Sequence, residues 1–566
     1  MGEGTHRAVA RPARGPIERP PGVEGDDVAV YLTDASRFPG GHAPRAWLPT
    51  SEGQVAWVVR HEARVLPVGA QSSLTGGATP RGEAVVSFAR MARVLELAPG
   101  RARVEAGLAL VTLEEALRAR GAWFPPAPTY TGASVGGVVS TNAAGAATWK
   151  YGTTRPWVLG LTVVLATGDV LDLRRGEVTA SPDGRFEVAL PDGRVLDVPV
   201  PRVAAPAVPK CSAGYVGGPG LDLVDLFVGA EGTLGLVTEV ELRVLEDPPQ
   251  LLVALVPVPD DAAALELTAA LRDASRASWA ATARGAPPGL DVRAIESLDA
   301  RCLALLREDG KDREHGVDLP PGAGGAVLVQ VELPPDLDAG AAFEAFAACP
   351  PVGGAGGEDG VTRLLALLAA RDLLDGVEVA LPGDRPRAAQ LFAVREAVPV
   401  AVNHRVEARK RAVDPGIHKV GGDVIVPFER LGEALAGWRA AFARRGLDLA
   451  VWGHISDGNL HPNGLPATLD DVARAKEALL ECGELAIALG GCPLAEHGTG
   501  RNPVKQALLR RLHGDEGVAS MRRTRAALDP AGKLAPGVLF PAAPPAGSTA
   551  ATSAAEVPAA AKEDGP

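Results

Sequence analysis

Cysteine is scarce. The five present, Cys211, Cys302, Cys349, Cys482 and Cys492, are odd in number, scattered and in no C-x-x-C pair. That excludes a disulfide framework and suits a reducing cytosol. Long apolar runs are also missing: no stretch approaches the roughly 18 uncharged apolar residues of a membrane span, and the basic N-terminus has no apolar block behind it. We therefore expect no transmembrane helix and no secretory signal. Positive charge is not in excess, with 57 Lys and Arg against 69 Asp and Glu, a net −12. A nucleic-acid surface would stand against that field. Aromatic residues are few at 4%, while Gly (67) and Pro (49) are many. This bias runs through loops and helices alike and reads as compositional background.

What remains is ordinary globular text: 566 residues, 46% apolar and 22% charged. That length suggests about three domains or two large ones. Residues 1–45 read as an extended arm and 541–566, rich in Ala, Pro and Ser, as a disordered tail. Between them, capping-box patterns mark helices after Ser51 (with Gln54) and Thr112 (with Glu115), and Gly121 suits a left-handed cap. Val158 to Leu173 reads as two strands around a Thr-Gly-Asp turn, and 174–209 as a hairpin insertion. From about 250 the text turns to Ala/Leu-rich helices (261–274, 362–374, 430–444) between strands (326–332, 376–381), an α+β pattern. No fixed-period repeat is present.

Chemistry concentrates in a few places. Pro67-Val-Gly-Ala-Gln-Ser-Ser-Leu-Thr-Gly-Gly77 follows a strand and offers consecutive backbone N–H groups and hydroxyls, which suits a pyrophosphate. Taken alone it equally suits a tight turn. Two further Gly/Ser/Thr-rich loops, 131–145 and 229–235, favour a ligand, because such loops are costly in backbone entropy. Competing motifs fail: Gly310-Lys311 and Gly532-Lys533 lack the following Ser/Thr of a P-loop, and Gly132-Ala-Ser134-Val-Gly136 lacks the buried strand that must precede a serine-hydrolase elbow.

The second concentration is Val451-Trp-Gly-His454-Ile-Ser-Asp-Gly-Asn-Leu-His461-Pro-Asn463. If Asp457-Gly458 forms a two-residue type I′ turn, His454 stands opposite His461 with Cβ atoms about 5 Å apart, close enough to share a metal. Asn463 points the same way, and Glu496 is a candidate third ligand. The same spacing also suits two surface histidines and a loop glutamate. Arg395 and Lys419 could hold a substrate carboxylate or be ordinary surface charges.

These motifs together, PVGAQSSLTGGATP, ASVGGVVSTNAAG, YGTTRPWVLGL, DLFVGAEGTLGLVTEV, GHISDGNLH, EHGTG and LDPAGKLAPG, are similar to a known family. Residues 46–247 resemble the FAD-binding domain of the vanillyl-alcohol-oxidase and p-cresol-methylhydroxylase superfamily, and 248–540 the FAD-linked oxidase C-terminal domain. The pair resembles the D-lactate and D-2-hydroxyglutarate dehydrogenases and the glycolate oxidase FAD subunit. The implied fold is α+β, with a two-subdomain FAD domain, an α+β substrate domain and a helical C-terminal segment.

The resemblance implies non-covalent FAD, its pyrophosphate on Gly69, Ala70, Gln71, Ser72, Ser73, Leu74 and Gly76. Ser134, Gly136, Gly137 and Asn142 would lie along the cofactor, and Glu231, Gly232 and Val237 on its adenine and ribose side. A divalent ion, zinc above all, would sit on His454, His461 and Glu496. Arg395, Lys419 and Asn463 would contact the substrate, and His497 would be the base. The implied activity is oxidation of a D-2-hydroxy acid, D-lactate foremost, with 2-hydroxyglutarate and glycolate as alternatives. An acceptor (quinone, cytochrome or electron-transfer flavoprotein) would take the electrons. The implied location is cytoplasmic, with peripheral contact to the inner face of a membrane through that acceptor left open, as is a homodimer.

Rival readings are a non-redox flavoenzyme of the alkylglycerone-phosphate synthase type, a metal-free flavin oxidase and a non-catalytic assembly subunit. Departures from the family pattern are Ser456 for a Gly, Ala535-Pro-Gly-Val538 for N-P-G-K, Pro399 for a Thr near the substrate, the insertion and the arm.

Overall fold

A computed structural model describes residues 5–126, 128–285, 289–337, 339–347 and 359–541. Cys349 and the tail expected to be disordered, from 542 on, lie outside the described residues.

The strands build two cored halves, and the sheet of the second divides its core into a cluster on each face. The second is the more regular. Strands Glu378–Ala380, Gln250–Val258, Gly325–Leu333, Val292–Asp299, Leu449–His454, Asn459–Gly464 and Val420–Gly421 lie side by side in one antiparallel sheet, and Val424–Ile425 also pairs with Asn459–Gly464. Leu252, Ala254 and Val256 face one way, against helices Asp261–Thr282, Leu431–Ala443 and Leu469–Ala488. Val253 and Leu255 face the other, against Ala300–Glu308 and the long helix Arg385–Ala412. Covering both faces lets the strand Gly325–Leu333 be buried along its whole length.

The first core lies between two further sheets. An antiparallel sheet orders Val170–Arg174, Val158–Val164, Leu236–Arg243, Arg101–Glu105 and Val94–Ala98. A smaller one orders Gly22–Glu24, Arg45–Trp47, Ala84–Ser87 and Val65–Val68, the last three parallel. The edge of Val65–Val68 is closed by the far end of the chain: Val65 N donates to Lys533 O at 2.9 Å and Ala535 N to Val65 O at 2.8 Å. Leu494, Leu509, Met521, Leu534 and Phe540 likewise pack into this first core.

The helix Glu52–His61 begins as expected, Ser51 accepting from Gln54 N, although Gln54 Oε1 turns back to Thr50 N at 2.9 Å rather than to Ser51. The second helix differs. It spans Leu110–Arg118, its N-cap is Ala109, and Thr112 caps nothing. Loop carbonyls supply the acceptors a capping side chain would have supplied: Leu110 N donates to Ala133 O at 2.9 Å and Val111 N to Thr131 O at 2.8 Å. Leu110, Leu113 and Leu117 form its buried stripe. The helix expected at 261–274 runs on to Thr282, where Trp279 packs on Trp149 at 4.7 Å and donates to Asp291 at 2.7 Å.

The arm and the insertion meet. Arg7–Val9 pairs in parallel with Arg185–Ala189, which forms a hairpin with Val195–Pro199. Further along, Ala35 N donates to Gln71 O at 2.9 Å and Ser36 N to Ser73 O at 3.0 Å, so the arm lies as a strap along the first glycine-rich loop.

Candidate active site

Strands Leu449–His454 and Asn459–Gly464 place His454 opposite Asn459 and Trp452 opposite His461. The expected two-residue turn is therefore replaced by a four-residue connection, a 3-10 turn Ile455–Asp457 closed by Gly458 at φ 86°. Burial explains the change. Asp457 is buried, its side chain accepting from Asn459 N at 3.1 Å and lying 3.1 Å from Lys210 Nζ, whereas a type I′ turn would leave it in solvent. A Cβ on Gly458 would overlap Val426 O, so the connection also requires glycine. The register moves by two residues, and an even shift keeps each side chain on its face. His454 and His461 thus still share a face, now diagonally, with ring centroids 5.6 Å apart.

Three imidazoles surround one oxygen. Glu496 Oε1 lies 3.1 Å from His454 Nε2, 3.5 Å from His461 Nε2 and 3.8 Å from His497 Nε2. Behind each ring stands a carboxylate: Glu296 is 2.8 Å from His454 Nδ1, and Asp423 is 3.6 Å from His461 Nδ1 and 3.7 Å from His497 Nδ1. At 2.8 Å Glu296 fixes the His454 ring and directs its Nε2 inward, as metal-ligating histidines are held, whereas Asp423 faces the other two rings from beyond hydrogen-bond distance. Asp423, His461, Glu496 and His497 offer ligand atoms within 4.8 Å of one another. Asp423 is already engaged, accepting from the backbone N–H of Glu496 at 2.8 Å and of His497 at 2.7 Å. Its place is behind the rings.

Charge in this buried cluster is tightly balanced. Burial opposes ionisation of Glu496, but His454 and Lys210 outweigh it and hold the carboxyl far below its usual range. Burial likewise opposes the charged form of His454, yet Glu296 and Glu496 raise it to about 9. Burial and the neighbouring His497 push His461 well down, and burial lowers His497 itself. The neutral imidazoles of His461 and His497, whose Nε2 atoms face one ionised carboxylate, fit a divalent ion, and His454 would join them on giving up its proton.

The glycine-rich loops fit FAD. None of the backbone N–H groups from Ala70 to Leu74 meets an acceptor among the described residues, so a row of donors is free for phosphate oxygens. Three non-glycine residues hold positive φ in these loops, Gln71 (54°), Asn142 (48°) and Glu231 (49°), and such strain gathers at ligand sites. Close approach joins the loops: a Cβ on Gly69 would overlap Ser134 Oγ, and one on Gly232 would overlap Pro67. Gly229 N and Glu231 N donate to Val139 O and Ser140 O at 2.9 and 2.8 Å. Ser134 caps the short helix Val135–Ser140, which contains Gly136 and Gly137. Val237 is buried in a strand facing Val163.

One residue ties the two halves together. Glu231 accepts from Thr499 N and Gly500 N, both at 2.8 Å, fixing the turn that carries Glu496 and His497. Its carboxylate is therefore spent on that turn, and burial raises it to about 7. Arg395 is similarly committed, to Glu296 at 3.0 Å. Asn463 donates to His461 O at 2.8 Å. Lys419, by contrast, has no ion-pair partner among the described residues, and burial, with Arg37 nearby, lowers it to about 8. A cavity of about 600 Å³ walled by Pro257, Glu266, Pro320, Arg371 and Asp375 contains none of these groups.

Sequence reasoning missed Lys210, Glu296 and Asp423. Lys210 is fully buried and bridges Glu496 (2.8 Å) and Asp457 (3.1 Å). It stands in Pro/Gly-rich text with no pattern around it. Glu296 did carry a signal: it occupies a buried strand position between Ala294 and Leu298 where alternation calls for an apolar residue.

Comparison with known proteins places these features in context. Residues 45–174 match the FAD binding domain family and 261–539 the FAD linked oxidases, C-terminal domain. The chain is 27% identical over 486 residues to glycolate oxidase subunit GlcD of Bacillus subtilis (strain 168), spanning 85% of this chain and 84% of that protein. It is 28% identical over 496 residues to the D-2-hydroxyglutarate dehydrogenase of Xanthomonas citri pv. viticola, spanning 86% of each. An uncharacterized FAD-linked oxidoreductase of Mycobacterium tuberculosis (strain ATCC 25618 / H37Rv) is 30% identical over 483 residues, spanning 84% of this chain and 86% of that one. Among solved structures, 4-ethylphenol oxidase from Gulosibacter chungangensis aligns with TM-score 0.58 at 18% identity, covering 91% of this chain and 93% of that one, and shares the fold. No helix among the described residues is long and apolar enough to cross a membrane.

Proposed function

We propose, for a chain that belongs to the FAD-linked oxidase family, the oxidation of a D-2-hydroxy acid, D-lactate foremost, to its 2-oxo acid. The chain is an FAD-dependent oxidoreductase of the group that includes glycolate and D-2-hydroxy-acid dehydrogenases. The observation that carries the reading is the convergence of three imidazole Nε2 atoms on Glu496 Oε1, in a turn hydrogen-bonded to a glycine-rich loop through Glu231. We take 46–247 and 248–540 as the two domains, the last part of the second crossing back into the first core.

FAD supplies the hydride acceptor when bound, and a divalent ion on His454, His461 and Glu496, zinc in our reading, supplies a Lewis acid for the hydroxyl oxygen. The chain's own residues do the rest. Lys419 holds the substrate carboxylate as an unpaired cation, with Asn463 beside it. His497, the most open of the three imidazoles with 22% of its side chain exposed, takes the hydroxyl proton at Nε2 while Asp423 faces its Nδ1. Burial keeps His497 neutral near pH 7, as a base must be. Arg395 acts through Glu296 on the orientation of His454 rather than on the substrate. Backbone donors from Ala70 to Leu74 bind the FAD pyrophosphate. The electrons then pass to an external acceptor.

A second reading, a metal-free oxidase, draws on one contact: His454 Nε2 and Glu496 at 3.1 Å already satisfy each other as an ion pair. Anaerobic mixing of metal-replete protein with matched D- and L-2-hydroxy acids tests the proposal. Bleaching of the flavin by a D-acid and not its L-partner is expected. Flavin that stays oxidised with every acid overturns the assignment and favours a non-redox role, and bleaching that survives exhaustive chelation favours the metal-free reading.

A further inference from the structure

Two of the scattered cysteines meet. Cys211 follows Lys210, and Cys492 precedes Glu496 by four residues; their Sγ atoms are 3.6 Å apart, in van der Waals contact, although the residues are 281 apart in sequence. The two segments run alongside each other, Ser212 N donating to Leu494 O at 2.8 Å. Cys492 is buried and Cys211 half-buried, so Cys211 is the more accessible residue of the two. Cys302 and Cys482 are buried elsewhere, in the cores of the second half.

We propose that Cys211 and Cys492 are a modification site, a dithiol that hydrogen peroxide converts to a reversible disulfide joining the FAD-binding half to the turn that carries Glu496. The chemistry balances. The Cys211 sulfur attacks the O–O bond, giving a sulfenic acid and water; the Cys492 sulfur then displaces the hydroxyl, which leaves as a second water. Two thiols lose two electrons and two protons, and one peroxide is reduced to two waters. Reduced flavin that meets dioxygen forms hydrogen peroxide, so the oxidant can arise at the site itself. Two features of the surroundings support the order of attack. A hydrogen bond from Cys492 and the nearby Arg155 guanidinium hold the Cys211 thiol below its usual range, whereas burial holds Cys492 well above.

Closing the bond brings the sulfurs from 3.6 Å to about 2.05 Å, which one of the two segments beside Glu496 must accommodate. Lys210, the residue before Cys211, contacts Glu496 Oε2 through its Nζ at 2.8 Å. In this proposal oxidation reaches, through that contact, the same carboxylate that the three imidazoles surround.

The test exposes purified holoprotein to a few equivalents of hydrogen peroxide. Expected are loss of two of the five thiols, a Cys211–Cys492 linked peptide in a non-reducing digest, and faster migration on a non-reducing denaturing gel, all reversed by dithiothreitol. Cys492→Ser should stop at a Cys211 sulfenic acid trapped by dimedone, and Cys211→Ser should keep its remaining thiols. Thiol loss that maps to Cys302, Cys349 or Cys482, or equal loss in Cys211→Ser, overturns the proposal. A final readout rests on the proposed activity: flavin bleaching by a competent hydroxy acid should slow severalfold in the cross-linked protein and recover with reductant. Unchanged bleaching beside a confirmed cross-link overturns the coupling to Glu496 and leaves the site standing.

Discussion

Glu296 Oε1 stands 2.8 Å from His454 Nδ1 and so turns the opposite ring nitrogen toward Glu496. Arg395, 3.0 Å away on the other oxygen, fixes Glu296 in turn. The orientation of the first candidate ligand is thus set by a strand residue that itself touches neither Glu496 nor His461.

Glu296→Gln should therefore weaken metal binding about 10- to 100-fold, the usual effect of losing a carboxylate behind a ligating histidine. Titration with Zn²⁺ against a competing chelator reads this directly. An unchanged affinity would remove His454 from the metal set.

His497→Asn should slow flavin reduction by about 10²- to 10⁴-fold, the usual worth of a positioned base, and leave FAD content unchanged. Stopped-flow bleaching separates the two. Reduction at the wild-type rate would exclude His497 as the base.

The dependence of kcat/KM on pH should be a bell. Activity needs His497 neutral and Lys419 cationic. Burial sets His497 below the usual histidine range, so the rising limb lies in acid. Burial and Arg37 bring Lys419 to about 8, so the profile falls above that pH as the substrate carboxylate loses its cation. Lys419→Arg, which stays charged, should carry the falling limb upward; a limb that does not move would assign it to another group.

Gly69→Ala should cost about 1–3 kcal/mol, because its new methyl meets the buried Ser134, whose hydroxyl caps the helix Val135–Ser140. FAD should be lost at the same time, since the displaced loop carries the free donors. A variant that purifies with full flavin absorbance and an unaltered melting temperature would contradict this.

Lys210→Met should destabilise the protein by about 3–5 kcal/mol, the penalty for leaving buried carboxylates without their cation. Denaturant titration measures it. Little change would mean that His454 alone compensates Glu496.

The architecture was largely legible because its signals are local. A short apolar run marks the strand read at 326–332, and glycine spacing marks the loops at 69–77, 131–145 and 229–235. The face shared by His454 and His461 was also legible, since parity survives a register shift of two. The turn itself was misread because Asp457-Gly458 in an exposed hairpin and in a buried one have the same letters, and only Lys210, distant in sequence, separates the two cases. The same distance hid Lys210 and Asp423. Arg395 and Glu231 were singled out as residues, while their contacts to Glu296 and to the turn at Thr499 join residues far apart in the sequence and had no local signal.

The strand before the first glycine-rich loop finds its last partner in Lys533 and Ala535. During synthesis Val65 must wait with an unpaired edge until Lys533 and Ala535, far along the chain, have left the ribosome. A segment made long after the strand thus finishes the sheet to which that strand belongs. Until then the nascent protein carries an open strand edge beside its first glycine-rich loop, so that loop gains its full support only when the two distant segments meet.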